Sequence, residues 1–414
     1  MVQSCQYCIE MDIILTSEFR NRLIFAFYIP SALISIAAAT MIPVLPVYAS
    51  ELTSAYFLIG IILAAISLGR VFGSFPASWM LRNMGIKRTM LTGIAITLTP
   101  MIFLFFVRNL WLTIAFLFIV GIGLAIYSIS RHAYITVVIP LEIRGRSIGL
   151  LGGVFRMGNF IGPLIGGWVA TQFDMPSAFL AFVTIASISF FFIWYFMRQV
   201  DADAYTDEKT KPESGSYRQM LRDNQKIITS AGFGQIFAQL TRQGWRVLIP
   251  LYGANVLQLD VGTIGMIVAI GGALDMLFFY ASGIIMDRFG RKWAIVPSFT
   301  LQAVGIMLIL LTSNSFTLSL VAALIGFANG LSSGTMMTIG SDLAPNTMRG
   351  EFLSTWNFIG DMGGVSGPII VGSIAQVLVI QVSVLSIASA GLGAALLFAI
   401  FVPETLKGRK PKLQ

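Results

Sequence analysis

The chain has 414 residues, of which 56% are hydrophobic and only 11% are charged, and its mean hydropathy is +0.82. Soluble domains carry about 25% charged residues, so the composition excludes a soluble protein and predicts an integral membrane protein. The net charge of +8 comes from basic residues spread over short loops, which argues against nucleic-acid binding. His132 is the only histidine, and Cys5 and Cys8 are the only cysteines. We therefore expect no enzyme, no cofactor and no metal site, because a zinc centre normally needs four ligands.

Twelve apolar segments are each long enough to cross a bilayer core, which needs about 20 helical residues. They lie near residues 22–48, 54–80, 89–107, 111–138, 147–170, 177–197, 227–252, 260–286, 293–312, 316–340, 350–377 and 380–402. One long polar stretch separates the first six from the last six. The sequence thus predicts an all-α membrane protein with a leader (1–21), a six-helix bundle (22–197), a linker (198–226), a second six-helix bundle (227–402) and a tail (403–414).

Lysine and arginine are concentrated in alternate loops. The loops after segments 2, 4, 8, 10 and 12 hold Arg82, Lys87, Arg88, Arg144, Arg146, Arg288, Arg291, Lys292, Arg349, Lys407, Arg409, Lys410 and Lys412. The opposite loops hold one basic residue, Arg108. Because basic loops stay on the cytoplasmic side, we expect a multi-pass protein of the plasma membrane with both termini and the linker in the cytoplasm.

The stretch 144–167 has a second copy 205 positions further along the chain. Its small residues, at spacings of three and four, let helix backbones touch: Gly158, Gly162, Pro163, Gly166 and Gly167. Five positions of the stretch recur at the same offset, as Arg349, Gly350, Gly367, Pro368 and Gly372. This repeat indicates a duplication, in which two pseudo-symmetric bundles face each other across the functional site.

Eight ionisable residues fall inside the predicted helices: Arg70, Arg131, His132, Arg156, Arg242, Arg246, Asp275 and Asp361. Each charge costs roughly 2.5 to 3.5 kcal/mol at a helix centre, which indicates a functional or paired role. The repeat relates Arg70 to Asp275 and Arg156 to Asp361. Each of the four lies 12 residues, or about 18 Å of helix, from a basic loop, which places them near the midplane.

Two motifs carry a family resemblance. The segment GIIMDRFGRK at 283–292 resembles the loop signature between helices 2 and 3 of each half in the major facilitator superfamily, and GNFIGPLIGG at 158–167 is similar to the helix-5 signature of its drug and proton antiporters. The first-half loop departs from the signature, since Arg82 and Asn83 occupy the places of Asp287 and Arg288. Leu117 stands where the antiporters carry an arginine in helix 4.

The resemblance implies a cytoplasmic gate built from Asp287, Arg288, Gly290, Arg291 and Lys292. It also implies that helix 2 packs on helix 11 and helix 5 on helix 8, so we expect Arg70 to meet Asp361 and Arg156 to meet Asp275. These pairs either fix how the halves dock or exchange during transport while an aspartate takes up a proton.

Helices 1, 4, 7 and 10 line the central cavity in this family, which places Arg131, His132, Arg242 and Arg246 there and favours an anionic solute. Alternatively, Arg131 and His132 reach the cytoplasmic mouth and help set orientation, while Arg242 and Arg246 bond carbonyls at a helix break before Pro250.

Three functions remain open from the sequence. The first is a secondary transporter that exports a small organic compound in exchange for protons, by alternating access and as a monomer in the bilayer. The second is proton-coupled uptake of an organic anion by the same fold. The third is a receptor or scaffold without transport, which the midplane charges and the intact second-half loop argue against. An ATP-driven pump lacks support, because no GxxxxGK[ST] phosphate loop occurs.

Overall fold

The computed structural model describes residues 21, 23–198, 217–345 and 348–406, and within these it is helical with no strand. Cys5 and Cys8, and most of the linker and of the C-terminal tail, lie outside the described residues. The first half contains α1 (Ile24–Leu52), α2 and α3 (the parts 56–84 and 86–106 of Tyr56–Phe106), α4 (Leu110–Val138), α5 (Leu141–Gln172) and α6 (Ser177–Phe196). The second half contains α7 (Gln225–Asn255), α8 (Val261–Arg288), α9 (Arg291–Leu308), α10 (Ser315–Leu343), α11 (Arg349–Val377) and α12 (Ile380–Ile400). The expected twelve-helix all-α fold is confirmed.

Helix α7 is the least apolar of the twelve. Ten described helices meet a length and hydropathy criterion for membrane spans, and the 51-residue helix Tyr56–Phe106 holds two crossings. Helix α7 falls below the criterion because polar residues interrupt it, among them Gln239, Arg242, Gln243 and Arg246. The low hydropathy of α7 therefore marks a helix that faces polar surroundings inside the protein.

Glycines reverse the chain at equivalent places in the two halves. Gly85 lies between α2 and α3 with φ 73°, and Gly290 lies between α8 and α9 with φ 114°. Both values fall in the left-handed region, which glycine adopts without steric cost. A side chain at Gly290 would also collide with the carboxylate of Glu404. These turns lie at the end of the bundle that carries the basic loops, here called the basic end.

Small residues bring α5 against both α1 and α8. A Cβ on Gly162 would lie 2.6 Å from the carbonyl oxygen of Ile36 on α1, and one on Gly167 would lie 3.1 Å from the Cα of Gly265 on α8. Gly158 and Gly166 also face α1, and the carbonyl of Pro163 faces Gly265. In the second half, Gly367 approaches Leu240 and Gly244 on α7. The glycines of α5 and α11 thus hold equivalent packing positions.

The two halves meet at the end opposite the basic loops. There α2 contacts α11 through Gly60 and Gly372, and Asn255 Nδ2 donates to Tyr56 Oη at 3.5 Å. Nearer the basic end, Gly153 on α5 and Gly283 on α8 have open space where a side chain would begin. The halves are therefore packed tightly at the opposite end and less tightly around these two glycines.

Candidate functional site

A cavity of about 500 Å³ lies between the halves, lined by α1, α2, α4, α5, α7 and α11. Most of its wall is apolar, for example Met41, Leu45 and Leu63. Three guanidinium groups interrupt this wall, those of Arg70, Arg131 and Arg246, and no aspartate or glutamate is among the described residues that line it. The surface of the cavity is thus apolar with a threefold positive charge.

Arg131 is fixed in the cavity wall by its neighbours. Its side chain is 3% exposed, its guanidinium carbon lies 4.1 Å from the ring centre of Phe155, and Nη2 donates to Ser128 Oγ at 3.2 Å. A guanidinium over an aromatic face is attracted by the negative face of the ring. This contact orients Arg131, whose charge has no counterion within 4.0 Å in the part of the chain that the structure describes.

The side chains of Arg70 and Arg246 make no hydrogen bond or salt bridge in the part of the chain that the structure describes. Arg70 is close enough to Arg246 and to Arg131 to be repelled by both charges. Outside the cavity lining, Asp361 attracts Arg70 and Asp275 attracts Arg246. Like charges in a confined, largely apolar space are unfavourable unless a counter-charge enters. Three like charges therefore lie together on the wall of this cavity.

A second cavity of about 250 Å³ adjoins the first between α5, α7, α8 and α10. Its charged lining residues are Arg156, Arg242, Arg246 and Asp275. It shares four lining residues with the larger cavity: Phe155, Asn159, Gln243 and Arg246. Arg156 Nε lies 3.6 Å from Asp275 Oδ1, and Arg156 Nη1 donates to the carbonyl of Gly152 at 2.8 Å. The two helices predicted to meet here, α5 and α8, thus bring an arginine and an aspartate together inside the protein.

Arg242 on α7 binds the chain at a break in α10. This helix consists of Ser315–Leu331 and Thr335–Leu343, joined through Gly334 with φ 78°. Arg242 Nη2 donates to the carbonyl of Ser332 at 3.1 Å and to its Oγ at 2.9 Å. The expected break before Pro250 does not form, because α7 continues through Pro250 to Asn255. The carbonyl that Arg242 binds belongs to α10 instead.

Two of the predicted site residues, Asp361 and His132, line neither cavity. No salt bridge within 4.0 Å joins Arg70 to Asp361 in this state, although the attraction between their charges is still felt at Arg70. His132 lies one turn beyond Ser128 toward the basic end, where its Nδ1 is 2.7 Å from the Ser128 carbonyl oxygen. It is exposed and lines neither cavity, because it lies on a different face of α4 from its buried neighbour Arg131.

The loop between α8 and α9 forms a polar cluster at the basic end. Arg291 Nε donates to Asp342 Oδ2 on α10 at 3.0 Å, whereas its Nη1 lies 3.5 Å from Asp287 Oδ1, whose side chain is 78% exposed. Glu404, beyond α12, accepts from the backbone amides of Arg291 at 2.9 Å and Lys292 at 3.1 Å. Partial burial opposes ionisation of Glu404, but these amides outweigh it and hold its pKa below the usual range. Arg291, Asp342 and Glu404 thus join three parts of the second half.

Sequence reasoning missed Asp342 and Glu404. The one signal that could have indicated Glu404 is the segment VPETLKG at 402–408, which resembles the C-terminal segment of sugar porters. Lys292 Nζ donates to the carbonyl of Ala399 at 2.7 Å, and its first-half mate Lys87 donates to the carbonyl of Trp194 at 2.8 Å. The first half has Val137 in the place of Asp342. The cluster is therefore asymmetric between the halves.

The comparisons with known proteins agree on one family. A model of the Major Facilitator Superfamily matches residues 27–276 and 231–414. The multidrug resistance protein MdtG of Yersinia enterocolitica is 22% identical over 369 residues, covering 84% of this chain and 86% of its own. The probable nitrate transporter NarT of Staphylococcus aureus is 22% identical over 345 residues, covering 81% and 83%.

Solved structures give the same fold. A D-xylose-proton symporter superposes with a TM-score of 0.74 at 15% identity, covering 95% of this chain and 100% of its own. The human organic anion transporter MFSD10 superposes with a TM-score of 0.67 at 14% identity, covering 92% and 99%.

Proposed function

Because the chain belongs to the Major Facilitator Superfamily, we propose that it is a secondary transporter that exports a small organic anion in exchange for protons. The observation that carries this proposal is the larger cavity, whose wall holds Arg70, Arg131 and Arg246 without an acidic residue. An anion that enters relieves the repulsion among the three guanidinium groups. The apolar wall adds burial for the body of the solute, so the best ligand is an anion with an apolar part.

The location of the cavity supports transport by alternating access. It lies between the two halves, which touch at the end opposite the basic loops. Rocking one half against the other would close the basic end and open the opposite end to release the solute. We propose that the basic end is cytoplasmic, as loops rich in lysine and arginine usually are. The solute would then load from the cytoplasm in the state seen here.

We propose that Asp275 and Asp361 take part in proton coupling. In the present state Arg156 is paired with Asp275, while Arg70 has no acidic partner within salt-bridge distance among the described residues. If only one of the two arginine–aspartate pairs is formed in each state, the other aspartate lacks its arginine. That aspartate binds a proton more readily, because no nearby positive charge stabilises its ionised form. The two predicted pairs would then belong to different states of the cycle.

The cluster at the basic end is proposed to keep the second half rigid. Arg291 ties the α8–α9 loop to α10, and Glu404 ties it to the segment after α12. These bonds lie within one half, so they survive as the halves move. The gate role predicted for Asp287, Arg288, Gly290, Arg291 and Lys292 would arise when α4 and α5 close onto this rigid surface.

Export is favoured over uptake by two observations. The glycine pattern of α5 resembles that of antiporters, and the relatives of the chain include a multidrug resistance protein. Uptake of an organic anion remains the second candidate, because Leu117 replaces the antiporter arginine and another relative is a probable nitrate transporter. Both candidates use the same cavity and differ in the direction of coupled proton movement.

The test uses purified protein in liposomes with an imposed pH gradient. Flux is measured for a panel in which each carboxylate is matched with the neutral amide and the amine of the same carbon skeleton. We expect carboxylates to move against the direction of proton flow and the matched amines to stay behind. Flux of amines alone would contradict the proposal. Movement of carboxylates in the same direction as protons would favour uptake.

A further inference from the structure

The break in α10 exposes the N-terminus of a helix to the smaller cavity. Gly334, which caps the segment Thr335–Leu343, lines this cavity and has open space where a side chain would begin. The first amides of a helix lack partners within the helix and carry part of the positive end of its dipole. Unwound segments of membrane helices use this property to hold anionic groups of substrates.

A buried hydroxyl points to a ligand at the same place. Ser333 is 4% exposed and lines the smaller cavity, and its Oγ has no hydrogen-bond partner in the described chain. Its backbone carbonyl, by contrast, accepts from Ser282 Oγ at 2.8 Å. A buried hydroxyl without a partner is costly, so a ligand that accepts its proton would gain that hydrogen bond.

The charge of the smaller cavity also suits an anion. Arg156, Arg242 and Arg246 face it against Asp275 alone, which leaves a net charge of +2 among the described lining residues. Arg156 is engaged with Asp275. Arg242 is held at the break by Ser332, and its Nε has no partner in the described chain. Arg242 and the N-terminus of Thr335–Leu343 would therefore attract an anion to the same place, the break in α10.

The first half lacks this arrangement. The residue equivalent to Ser333 is Ser128, and the residue equivalent to Gly334 is Ile129. Helix α4 runs through both positions without a break, and Ser128 accepts from Arg131. The break in α10 is thus a local feature of the second half and not a consequence of the duplicated fold.

We propose that the smaller cavity is a second anion subsite that binds a carboxylate of the substrate at the Ser333–Gly334 break. A first acidic group lies near Arg70 and Arg131 in the larger cavity, so the transported compound is an organic dianion with an apolar body between its acidic groups. This inference rests on the proposed function and specifies its substrate class. Arg246, which lines both cavities, lies between the two subsites.

The test uses cysteine labelling, because the chain has only Cys5 and Cys8 to replace. In a background with both changed to serine, Ser333→Cys is labelled with a negatively charged and with a positively charged methanethiosulfonate reagent. Ser128→Cys reports on the larger cavity in the same way. Gly153→Cys, which lines neither cavity and has open space around it, is the matched control and should show no preference. We expect the anionic reagent to react about tenfold faster at Ser333→Cys, as one or two nearby charges predict. Equal rates, a faster cationic reagent or no reaction with either would overturn the proposal.

Protection experiments separate the two subsites. At constant ionic strength, acetate should slow labelling of Ser333→Cys and of Ser128→Cys, whereas chloride should not. Arg242→Gln should remove the protection of Ser333→Cys only. Arg131→Gln should remove the protection of Ser128→Cys only. Equal protection by chloride, or loss at both positions from one substitution, would overturn separate subsites. If these signals fail while wild-type protein still transports organic anions, this inference alone is wrong; absence of such transport refutes the proposed function.

Discussion

Arg156 and Asp275 form an ion pair whose side chains are only 16% and 8% exposed. Removing one charge leaves the other buried without its partner, whereas removing both does not. We expect Asp275→Asn to lower the free energy of unfolding by about 3 kcal/mol, and the added Arg156→Gln to restore most of this loss. Denaturant unfolding of the four proteins in detergent measures the coupling. Additive losses would show that the pair contributes nothing as a unit.

The pair Arg70 and Asp361 supplies the control for this cycle. Because no salt bridge joins them in the present state, Arg70→Gln and Asp361→Asn should show little coupling in unfolding. In proton-driven flux, where both states are visited, the same two substitutions should be strongly coupled, since the single variants leave a lone charge in one state. A salt bridge absent from every conformation, together with additive flux losses, would remove this pair from the account.

Glu404 makes the basic-end cluster sensitive to pH. Its folded pKa lies below the usual value, so its stabilising effect is present above the unfolded pKa, near 4.5, and is lost as pH falls through the folded pKa. We expect Glu404→Gln to lower the unfolding temperature at pH 7 and to have little effect at pH values below the folded pKa. Asp287→Asn, at a side chain that is 78% exposed, should change little at either pH. A Glu404→Gln effect independent of pH would contradict the ionic role.

At the scale of helices, α5 depends on close approach to α1. A Cβ on Gly162 would lie 2.6 Å from the Ile36 carbonyl oxygen, so Gly162→Leu must push the two helices apart. We expect this variant to lose transport and to unfold at a lower temperature. The control is Gly153→Leu in the same helix, where nothing lies within 4 Å of the added carbon. Normal flux with Gly162→Leu, or equal loss in both variants, would refute the packing role.

At the scale of the whole molecule, the sequence was sufficient for the twelve helices. Hydropathy reports segment length directly, and the 205-residue offset relates positions such as Arg156 and Asp361 without any knowledge of contacts. The break at Gly334 could not be predicted, because serine and glycine also occur in unbroken membrane helices. The sequence also could not predict that Arg291 binds Asp342 and Glu404, or that Arg242 binds Ser332. These partners are distant in the chain, and only the fold brings them close.

The conformational state was equally unpredictable from the sequence. Whether Arg70 meets Asp361 depends on how far the halves have rotated, and a sequence is compatible with every state of the cycle. In this structure Arg156 is paired with Asp275, whereas Arg70 and Asp361 are apart. Only a structure could provide this information about the conformational state.

The central claim is that the positive charge of the cavity selects an anion. The most direct measurement is the ratio of flux for a carboxylate and for the matched amine, in wild type and in Arg246→Gln, which removes the one charge shared by both cavities. We expect the wild type to favour the carboxylate by at least about tenfold and the variant to lose most of this preference, as one removed charge implies. A wild-type protein that moves the amine as well as the carboxylate, or a variant with unchanged preference, would contradict the account.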